Sequence, residues 1–499
     1  MNGDFTFPSG ETLSGSLSIH ESGSVLSVWG AARELEFSDV DVIAGILANQ
    51  KPIALMGCLP ASRKTSIGPN GFSFSYEILP EHLVIGTSEI SYTDEIIEKA
   101  VFEFDDAFFL FKNDAIDVLM PDPAQLSEFI SSQDDQATHP VQVGDHPVVS
   151  YYTDANAGQI MSAETVIGTV SAHNQVTSYV SDYEDAGFTN KIVTAVQFEK
   201  PINIVELQSR MEQILRFLGI VIGRPQNLVE AKIRLSGESP ASGKIPQYFT
   251  VHLHSLPRHS GRQRAPSPRE VLINAGSQGE TFGRVLRAWL EREQHPAWQT
   301  ARGLFFLSWS QGRRYDEARL VSAANMFDHL PSGEFQTPVI QDILQAPIEA
   351  FRQTIKALPD SPQCNAILGA LGRLGAPSHK QKVRCRSTKP AHAIGHRVPN
   401  LEEILDFAVN CRNLYTHGSG SKVTRRLGPR FTPFLTNTLE FVFATSDLIE
   451  AGWDIAEWCD RQKFAGHPFY SYLHGYGQNL DEYRKALDEL EKEDKDSPS

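Results

Sequence analysis

The chain has 499 residues, of which 41% are hydrophobic and 21% are charged, and its formal net charge is −16. It is too long for one core and predicts two or three domains, with enough apolar residues to bury sizeable cores. Its five cysteines are far apart and odd in number, so neither a disulfide framework nor a zinc knuckle is indicated. No apolar run approaches the roughly eighteen residues of a membrane helix, and the first residues lack the pattern of a signal peptide. A cytoplasmic protein is therefore predicted.

The first part of the chain shows a strand pattern. Short apolar runs alternate with segments rich in Gly, Ser, Asn, Asp and Pro, which is typical of β-strands. The predicted strands are residues 13–19, 24–29, 53–59, 72–78, 83–92, 101–111, 148–152 and 192–198. The Phe- and Val-rich run at 101–111 is expected to be β core, with no ligand to explain it.

The strand pattern extends to about residue 255. Residues 204–222 have helical spacing, and residues 228–235 and 248–254 return to strands. We therefore predict a β-rich domain over residues 1–255, a sandwich or distorted barrel. His252 and His254 share a strand face, but no nearby residue completes a metal set, so no metal site is predicted. A stretch rich in Pro, Arg and Ser follows, and residues 256–277 are predicted as a linker.

The remainder, residues 278–499, is predicted as an all-α bundle, which makes the fold class multidomain α+β. Apolar residues here recur at spacings of three and four. Beside a helix that ends at residue 417, the predicted helices are 281–294, 316–330, 339–357, 365–374 and 432–461, and a charged helix at 481–499 frays into an acidic tail.

The helix that ends at residue 417 carries the most informative residues of the chain. Asn400 is predicted as its N-cap, with Glu403 at the third helical position, and Gly418 is a natural left-handed stop. An apolar stripe runs between these ends. Arg412, Asn413 and His417 lie along the edge of that stripe, at the carboxyl end of the helix.

These residue types suit the cleavage of RNA. An imidazole can take the proton of a ribose 2′-hydroxyl or give one to the departing 5′-oxygen. Arg412 can hold the scissile phosphate and stabilise the added charge of the transition state, and Asn413 can orient either partner without adding charge. The products would be a 2′,3′-cyclic phosphate and a 5′-hydroxyl, formed without a metal or other cofactor. The alternative is a structural helix end, in which His417 and Arg412 only offset the helix dipole and cap carbonyls.

The sequence Arg-Asn-x-x-x-His from Arg412 to His417, in an all-helical C-terminal domain, resembles the signature of HEPN ribonucleases. The resemblance implies a homodimer whose two motifs form a composite site, and an acidic or polar residue on an early helix that orients the motif. Asn325 stands where a Glu is expected, and Asp328 is the candidate substitute, with Tyr415 as a second supporting residue. The first half, which opens with residues 7–17, resembles the N-terminal domain of ApeA-type abortive-infection proteins, which guard bacteria against phage.

The charge divides along the chain in a way that fits an RNA-binding second half. Residues 1–200 hold 8 Lys and Arg against 29 Asp and Glu, and the rest holds 37 against 32. Basic residues flank the motif helix on both sides, where they can hold the RNA backbone, although two solvated loops would show the same pattern. The candidate RNA-binding residues are Lys380, Lys382, Arg384, Arg386, Lys422, Arg425 and Arg426.

Two functions remain open from the sequence. The first is a metal-independent endoribonuclease toxin of abortive infection, with RNA (possibly tRNA) as substrate and an unknown phage-derived trigger. Its acidic first half would then shield or inhibit the nuclease half, or serve only for solubility. The second is a non-catalytic HEPN dimerisation protein that binds RNA or a nucleotide and carries a β-rich ligand- or phage-sensing domain.

Overall fold

The computed structural model describes residues 1–20, 23–31, 35, 42–68, 71–111, 116–133, 143–152, 158–181, 185–237, 246–254, 256, 267–335, 342–372, 374, 376–461 and 466–496. They form two compact units, Met1–Leu290 and Glu291–Ser499. The first is rich in strands and the second is helical, which confirms the predicted fold class.

The first unit is built on one large antiparallel sheet. Its described strands are β1 (Asn2–Thr6), β2 (Thr12–His20), β3 (Gly23–Ala31), β4 (Ile43–Leu47), β5 (Pro52–Met56), β6 (Leu59–Gly68), β7 (Gly71–Leu79), β8 (His82–Ile85), β9 (Ile97–Phe104), β10 (Ile116–Leu119), β11 (Val149–Tyr152), β12 (Gln159–Thr165), β13 (Gly168–Ser181), β14 (Asp185–Ile202), β15 (Leu228–Leu235) and β16 (Phe249–Leu253). Fourteen of these lie in the order β12-β13-β14-β9-β15-β16-β8-β5-β4-β1-β2-β3-β7-β6, and β10 pairs with β11. Helices α1 (Ala107–Leu110), α2 (Pro123–Gln133) and α3 (Ile204–Ile222) connect them.

Strands β1 to β5, β7 and β8 surround one hydrophobic core. Alternate residues of these strands point to the same side of the sheet, as the period of a strand requires. Because seven strands contribute to a single cluster, this part of the sheet must curl around its own inner face. The buried members include Phe5, Leu17, Leu26, Val28, Ile43, Leu47, Ile53, Leu55, Ile78 and Leu83.

The predicted strand at 101–111 is partly wrong. Strand β9 ends at Phe104, and Ala107–Leu110 form the short helix α1. The turn between them is set by Asp106, which is buried and accepts two hydrogen bonds from the Arg224 guanidinium, at 2.6 Å from Nε and 2.5 Å from Nη2. A buried carboxylate needs a charged or hydrogen-bonding partner. The pair between Asp106 and Arg224 holds the chain where it turns away from the sheet.

The first unit extends further along the chain than residue 255, where we predicted its end. Helix α4 (Gly279–Glu293) packs on it: the Phe217 ring of α3 lies 5.5 Å from the ring of Phe282 and 5.6 Å from that of Trp289. Part of the predicted linker is also packed, because Leu272 is buried and its N–H donates to the Val221 carbonyl. Residues 257–266 of that linker lie outside the described residues.

The second unit is a helical bundle, as predicted. Its helices are α5 (Pro296–Trp309), α6 (Glu317–Asn325), α7 (Asp342–Lys356), α8 (Pro362–Gly372), α9 (His379–Ile394), α10 (Leu401–His417), α11 (Lys422–Glu450), α12 (Ile455–Asp460) and α13 (Pro468–Asp496). Helix α11 is the spine of the bundle, and it contacts α5, α6, α9, α10 and α13. Along the described parts of the chain, no helix has both the length and the apolar composition that crossing a bilayer requires.

Helix α11 begins ten residues earlier than the predicted start at 432. The Ser421 side chain caps its first turn by accepting from the Thr424 N–H. Pro429 and Pro433 lie inside it, and each removes a backbone donor from the helix. The buried side chains of Leu427 and Phe431 anchor this first part, so tertiary packing offsets the cost of the prolines. The sequence prediction therefore started the helix too late, because the packing that holds its first turns is not visible in the local sequence.

A buried ion cluster ties α11 to its neighbours. The fully buried Arg302 guanidinium donates to Asp447 Oδ2 at 2.9 Å and Oδ1 at 3.0 Å, and to Glu293 Oε2 at 2.6 Å. Arg292 approaches the same Asp447 carboxylate at 3.0 Å. Burial alone would raise the pKa of Asp447, but Arg302 and Arg292 lower it below its ordinary value.

Replacing Asp447 with Ala should lower the free energy of unfolding of the second unit. The change leaves Arg302 buried with one carboxylate fewer, which costs about 3–5 kcal/mol. Tryptophan fluorescence during urea unfolding measures this, because Trp298, Trp309, Trp453 and Trp458 lie in this unit. The control is Arg461→Ala, which removes a partly exposed pair with Glu457 and should cost under about 1 kcal/mol. Equal losses in the two variants would contradict the importance of the cluster.

Candidate active site

The motif helix α10 ends as predicted but begins differently. Gly418 has a φ of 69° and its N–H donates to the Leu414 carbonyl, so it closes the helix in the left-handed conformation. At the other end, Asn400 has a φ of 58° and its side chain makes no capping bond. A side-chain cap needs an extended backbone, so the predicted Asn400 cap is wrong. The Asn400 carbonyl accepts from the Glu403 N–H instead.

Arg412 is held by side chains from its own helix and from α6. Its Nε–H donates to Asn325 Oδ1 at 2.9 Å, and its Nη1 donates to Asn413 Oδ1 at 3.1 Å. Nη2 lies 3.6 Å from Asp328 Oδ2, in the turn after α6. The structure therefore brings both predicted orienting residues to Arg412. Asn325 supplies the hydrogen bond that we expected from a Glu, and Asp328 supplies the negative charge.

Asp328 has two further neighbours, and both come from α9. Lys382 Nζ lies 3.3 Å from Asp328 Oδ1 and donates to the Asp328 carbonyl at 3.1 Å. His379 Nδ1 lies 3.3 Å from Asp328 Oδ2. One carboxylate thus faces a guanidinium, an ammonium and an imidazole, which fixes α6, α9 and α10 relative to one another.

The protonation of His379 follows from its contacts. Its Nε2 lies 3.0 Å from the Ala324 carbonyl, which can only accept, so Nε2 carries a proton. Burial lowers the pKa of His379 below its ordinary value of 6.5, and the charges of Arg412 and Lys382 lower it further. Asp328 and the Ala324 carbonyl oppose this shift. When the ring is neutral with its proton on Nε2, the unprotonated Nδ1 faces Asp328 Oδ2 and makes no hydrogen bond to it.

His417 differs from Arg412 in being exposed. It is the last residue of α10, and within the described part of the chain it makes no hydrogen bond or ion pair. Asn413 lies one turn before it on the same face of the helix and bonds to Arg412. The end of α10 therefore presents a fixed arginine, an amide that orients it, and an imidazole that is open to solvent.

Tyr415, which we expected in a supporting role, packs between α10 and α11. A Cβ added to Gly428 would lie 3.4 Å from the Tyr415 hydroxyl and 3.1 Å from Cys411 Sγ, so the two helices approach closely here. Burial raises the pKa of the Tyr415 hydroxyl above its ordinary value of 10.0. The phenol stays protonated near neutral pH and is unsuited to act as a general base.

The candidate RNA-binding residues before the motif lie on helix α9, not on a loop. Arg386 is buried and bonds to Glu334 at 2.9 Å and to Glu450 at 2.6 Å. Asp406 pairs with Lys380 at 3.7 Å and with the Arg384 guanidinium. Arg386 therefore cannot reach a ligand, and Lys380 and Arg384 share the single carboxylate of Asp406, which offsets one of their two charges.

The candidate residues after the motif lie in the first turns of α11. Arg426 pairs with Glu493 at 2.5 Å. Arg425 instead donates to the Gly418 carbonyl at 3.0 Å and to the Gly420 carbonyl at 3.3 Å, and has no carboxylate partner among the described residues. Arg425 thus holds the loop that follows His417 and places one positive charge without a carboxylate partner beside that loop. Lys422 is the first residue of the same helix.

The comparisons with known proteins agree with this architecture. The model of ApeA N-terminal domain 1 matches residues 1–289, and the model of Apea-like HEPN matches residues 321–457, which include Arg412 and His417. The chain belongs to the ApeA-type HEPN proteins. Both predicted resemblances are therefore confirmed, and the match to the HEPN family supports, at the level of the family, a nuclease of anti-phage defence. No curated protein and no solved structure matches it.

No part of this ApeA-type chain that the structure describes groups three or more His, Cys, Asp or Glu side chains as a metal site would. His252 and His254 share a strand face, with their rings stacked at 6.1 Å. His254 Nε2 lies 2.6 Å from Ser24 Oγ, so a hydroxyl is its partner here.

Sequence reasoning missed one residue of the ApeA-type site, His379. The only local signal near it is the capping box of Ser378 and Gln381, which marks the start of α9 and therefore places His379 in the first turn of that helix. Nothing in that local pattern indicates that the imidazole reaches Asp328 and Ala324, which lie more than fifty residues earlier. Lys382 was predicted to bind RNA, and the structure places it on Asp328 instead.

The pKa of His379 is expected to lie below 6.5, for the reasons given above. Because folding lowers this pKa, the contribution of His379 to stability is complete above pH 6.5 and is lost as the pH falls through the folded-state pKa. Titration of the histidine ring signals by NMR measures the pKa of His379 in the folded protein. The His379 signal is assigned by its loss in the His379→Gln variant. An imidazole that titrates at or above pH 6.5 would show that the carboxylate of Asp328 outweighs burial.

Proposed function

We propose that this protein is a metal-independent endoribonuclease that cleaves RNA, with tRNA as a candidate substrate, as the toxin of an abortive-infection system. The observation that carries the proposal is the end of α10. There Arg412 is fixed by Asn325, Asn413 and Asp328, while His417 is exposed and free of internal bonds among the described residues. A purely structural helix end does not need an arginine that three side chains position. Positioning a charge before the substrate arrives is what stabilisation of a transition state requires.

The proposed chemistry is an internal transfer at phosphorus. The ribose 2′-oxygen attacks the adjacent phosphorus and gives its proton to a His417 imidazole that acts as general base. The bond from phosphorus to the 5′-oxygen breaks, and that oxygen takes up a proton. The products are a 2′,3′-cyclic phosphate and a 5′-hydroxyl. Arg412 faces the non-bridging oxygens with the N–H groups that its partners leave free, and it stabilises their added negative charge.

A homodimer would complete the site. One imidazole serves as base, and protonation of the 5′-oxygen needs an acid. We expect the His417 of a second copy to supply it, so that the two motifs together form the composite site that the resemblance to HEPN ribonucleases implies. The proposed location is the cytoplasm. The proposed trigger is phage-derived, and the first unit either senses it or restrains the nuclease.

Loss of His417 or Arg412 should greatly slow cleavage. We expect His417→Ala to lower the rate by about 10²–10⁴-fold, the usual contribution of a general acid or base, and Arg412→Ala to lower it by about 10²-fold or more. The assay incubates the full chain with total RNA and with tRNA in EDTA, with and without phage lysate, and identifies the new ends chemically. His392→Ala is the matched control, because His392 is an exposed histidine in the last turn of α9.

Each result has a defined meaning. Cyclic-phosphate ends made by the native chain and by the His392 variant alone would establish the nuclease. RNA binding without cleavage under every condition would favour the second function, a non-catalytic dimer that binds RNA or a nucleotide. Cleavage by the His417 and Arg412 variants at the native rate would place the activity outside α10.

Among the basic residues, Arg425 should matter more for RNA affinity than Arg426. Arg425 has no carboxylate partner among the described residues, whereas Glu493 already opposes the charge of Arg426. In a His417→Ala background, we expect Arg425→Gln to weaken RNA binding and to reduce the salt slope by about 0.7 per lost phosphate contact. Filter binding at several salt concentrations measures both.

Arg425→Lys controls for the loop contacts, because it keeps the charge and changes the hydrogen bonds. Recovery of the salt slope in that variant assigns the effect to charge. An equal effect of Arg425→Gln and Arg426→Gln would mean that the pair with Glu493 opens when RNA binds, and that pairing in the free protein does not select the RNA contacts.

A further inference from the structure

The first unit holds a cavity that the nuclease proposal does not use. It has a volume of about 580 Å³, within the range of small-molecule sites. Strands β13, β14, β9 and β15 form its wall, and Pro246 and Tyr248, next to β16, complete it. Its lining mixes small apolar residues with long polar ones.

The register of the strands explains why a hollow forms here. Ala195 of β14 pairs with Val101 of β9, and Val101 pairs with Lys232 of β15, so these three residues form one row across the sheet. Val193 lies two residues from Ala195 on the same face of β14. Small side chains at the centre and longer ones around them leave a recessed floor, and that floor is apolar.

The rim of the cavity carries one positive charge more than its neighbours neutralise. Lys232 pairs with Glu230 at 2.9 Å, and Glu103 pairs with Lys191 at 3.3 Å. The Glu98 carboxylate, next to Lys99, belongs to Arg234. Each of these carboxylates therefore already has a cation of its own. Lys99 is left over, since among the described residues it forms no ion pair or hydrogen bond.

The surroundings of Lys99 favour an anion. Burial lowers the pKa of Lys99 from its ordinary value of 10.5, and the nearby Arg234 lowers it further, against the effect of Glu98. His173, whose Nε2 lies 2.8 Å from Ser171 Oγ, is also in the lining, and burial and Lys99 lower its pKa as well. A bound anion would stabilise the protonated form of Lys99. The side chains of Lys99 and His173 could both bind its oxygens.

The rest of the lining suits the other end of such a ligand. Tyr248 supplies an aromatic ring, Val101 and Val193 supply apolar contact, and the side-chain amide of Gln175, on the same face of β13 as His173, can donate and accept. We propose that this cavity binds a nucleoside monophosphate, with its phosphate against Lys99 and its base against Tyr248. The site lies in the first unit, so it is separate from α10.

Binding can be tested on the full chain by isothermal titration calorimetry with adenosine 5′-monophosphate and uridine 5′-monophosphate. We expect Lys99→Gln to raise the Kd by about tenfold or more, since it removes a charged partner of the phosphate. Tyr248→Ala should raise the Kd about fivefold or more through lost stacking. Adenosine and inorganic phosphate, which each lack one half of the proposed ligand, should bind more weakly than the monophosphates.

Two controls keep the test specific. Lys64→Gln changes an exposed lysine of the same sheet, on β6, and should leave the Kd unchanged. Arg412→Gln should also leave it unchanged, and loss of binding in that variant would place the nucleotide at α10 and overturn the proposal. Absence of binding by the native chain at millimolar nucleotide, or an unaltered Kd in Lys99→Gln, would overturn it too. None of these outcomes depends on whether the protein cleaves RNA.

Discussion

The second unit depends on buried arginine–carboxylate pairs that attach its helices to α11. Asp447 binds Arg302 of α5, and two turns earlier Glu440 binds Arg319 of α6 at 2.9 Å. All four side chains are buried, so each charge depends on its partner. Such pairs add little net stability compared with well-packed apolar residues, but breaking one is costly. They therefore set which helices meet α11 and at which turn, and the apolar residues fill the space between.

The candidate active site takes its geometry from this framework. Arg319 lies on α6 six residues before Asn325, so the bond from Arg319 to Glu440 also fixes the helix that carries Asn325. Asn325 in turn accepts from Arg412. A continuous path of described contacts thus runs from the spine of the bundle to the arginine of the motif. His417 lies at the end of that path, beyond the last fixed contact, where a substrate can reach it.

Charge that is visible in the sequence is a poor guide to charge available for binding. The basic segment before α10 looks like an RNA contact, yet in the folded chain Arg386 is buried on Glu334 and Glu450, and Arg384 is paired with Asp406. The same distinction holds in the first unit, where Lys232 is paired and Lys99 is not. Arg425 and Lys99, which have no carboxylate partner among the described residues, lie beside the two proposed ligand sites.

The sequence by itself determined what depends on neighbours along the chain. Alternation predicted most strands, helical spacing predicted the bundle, and Gly418 predicted the end of α10, because each is a local backbone preference. It also supplied the Arg412, Asn413 and His417 motif, and it proposed Asp328. It misplaced the turn at Asp106, the start of α11 and the cap at Asn400. Only the tertiary structure decided that His379 reaches Asp328, that Asn325 holds Arg412, and that Lys99 is unpaired, because those partners are brought together by contacts between residues far apart in sequence.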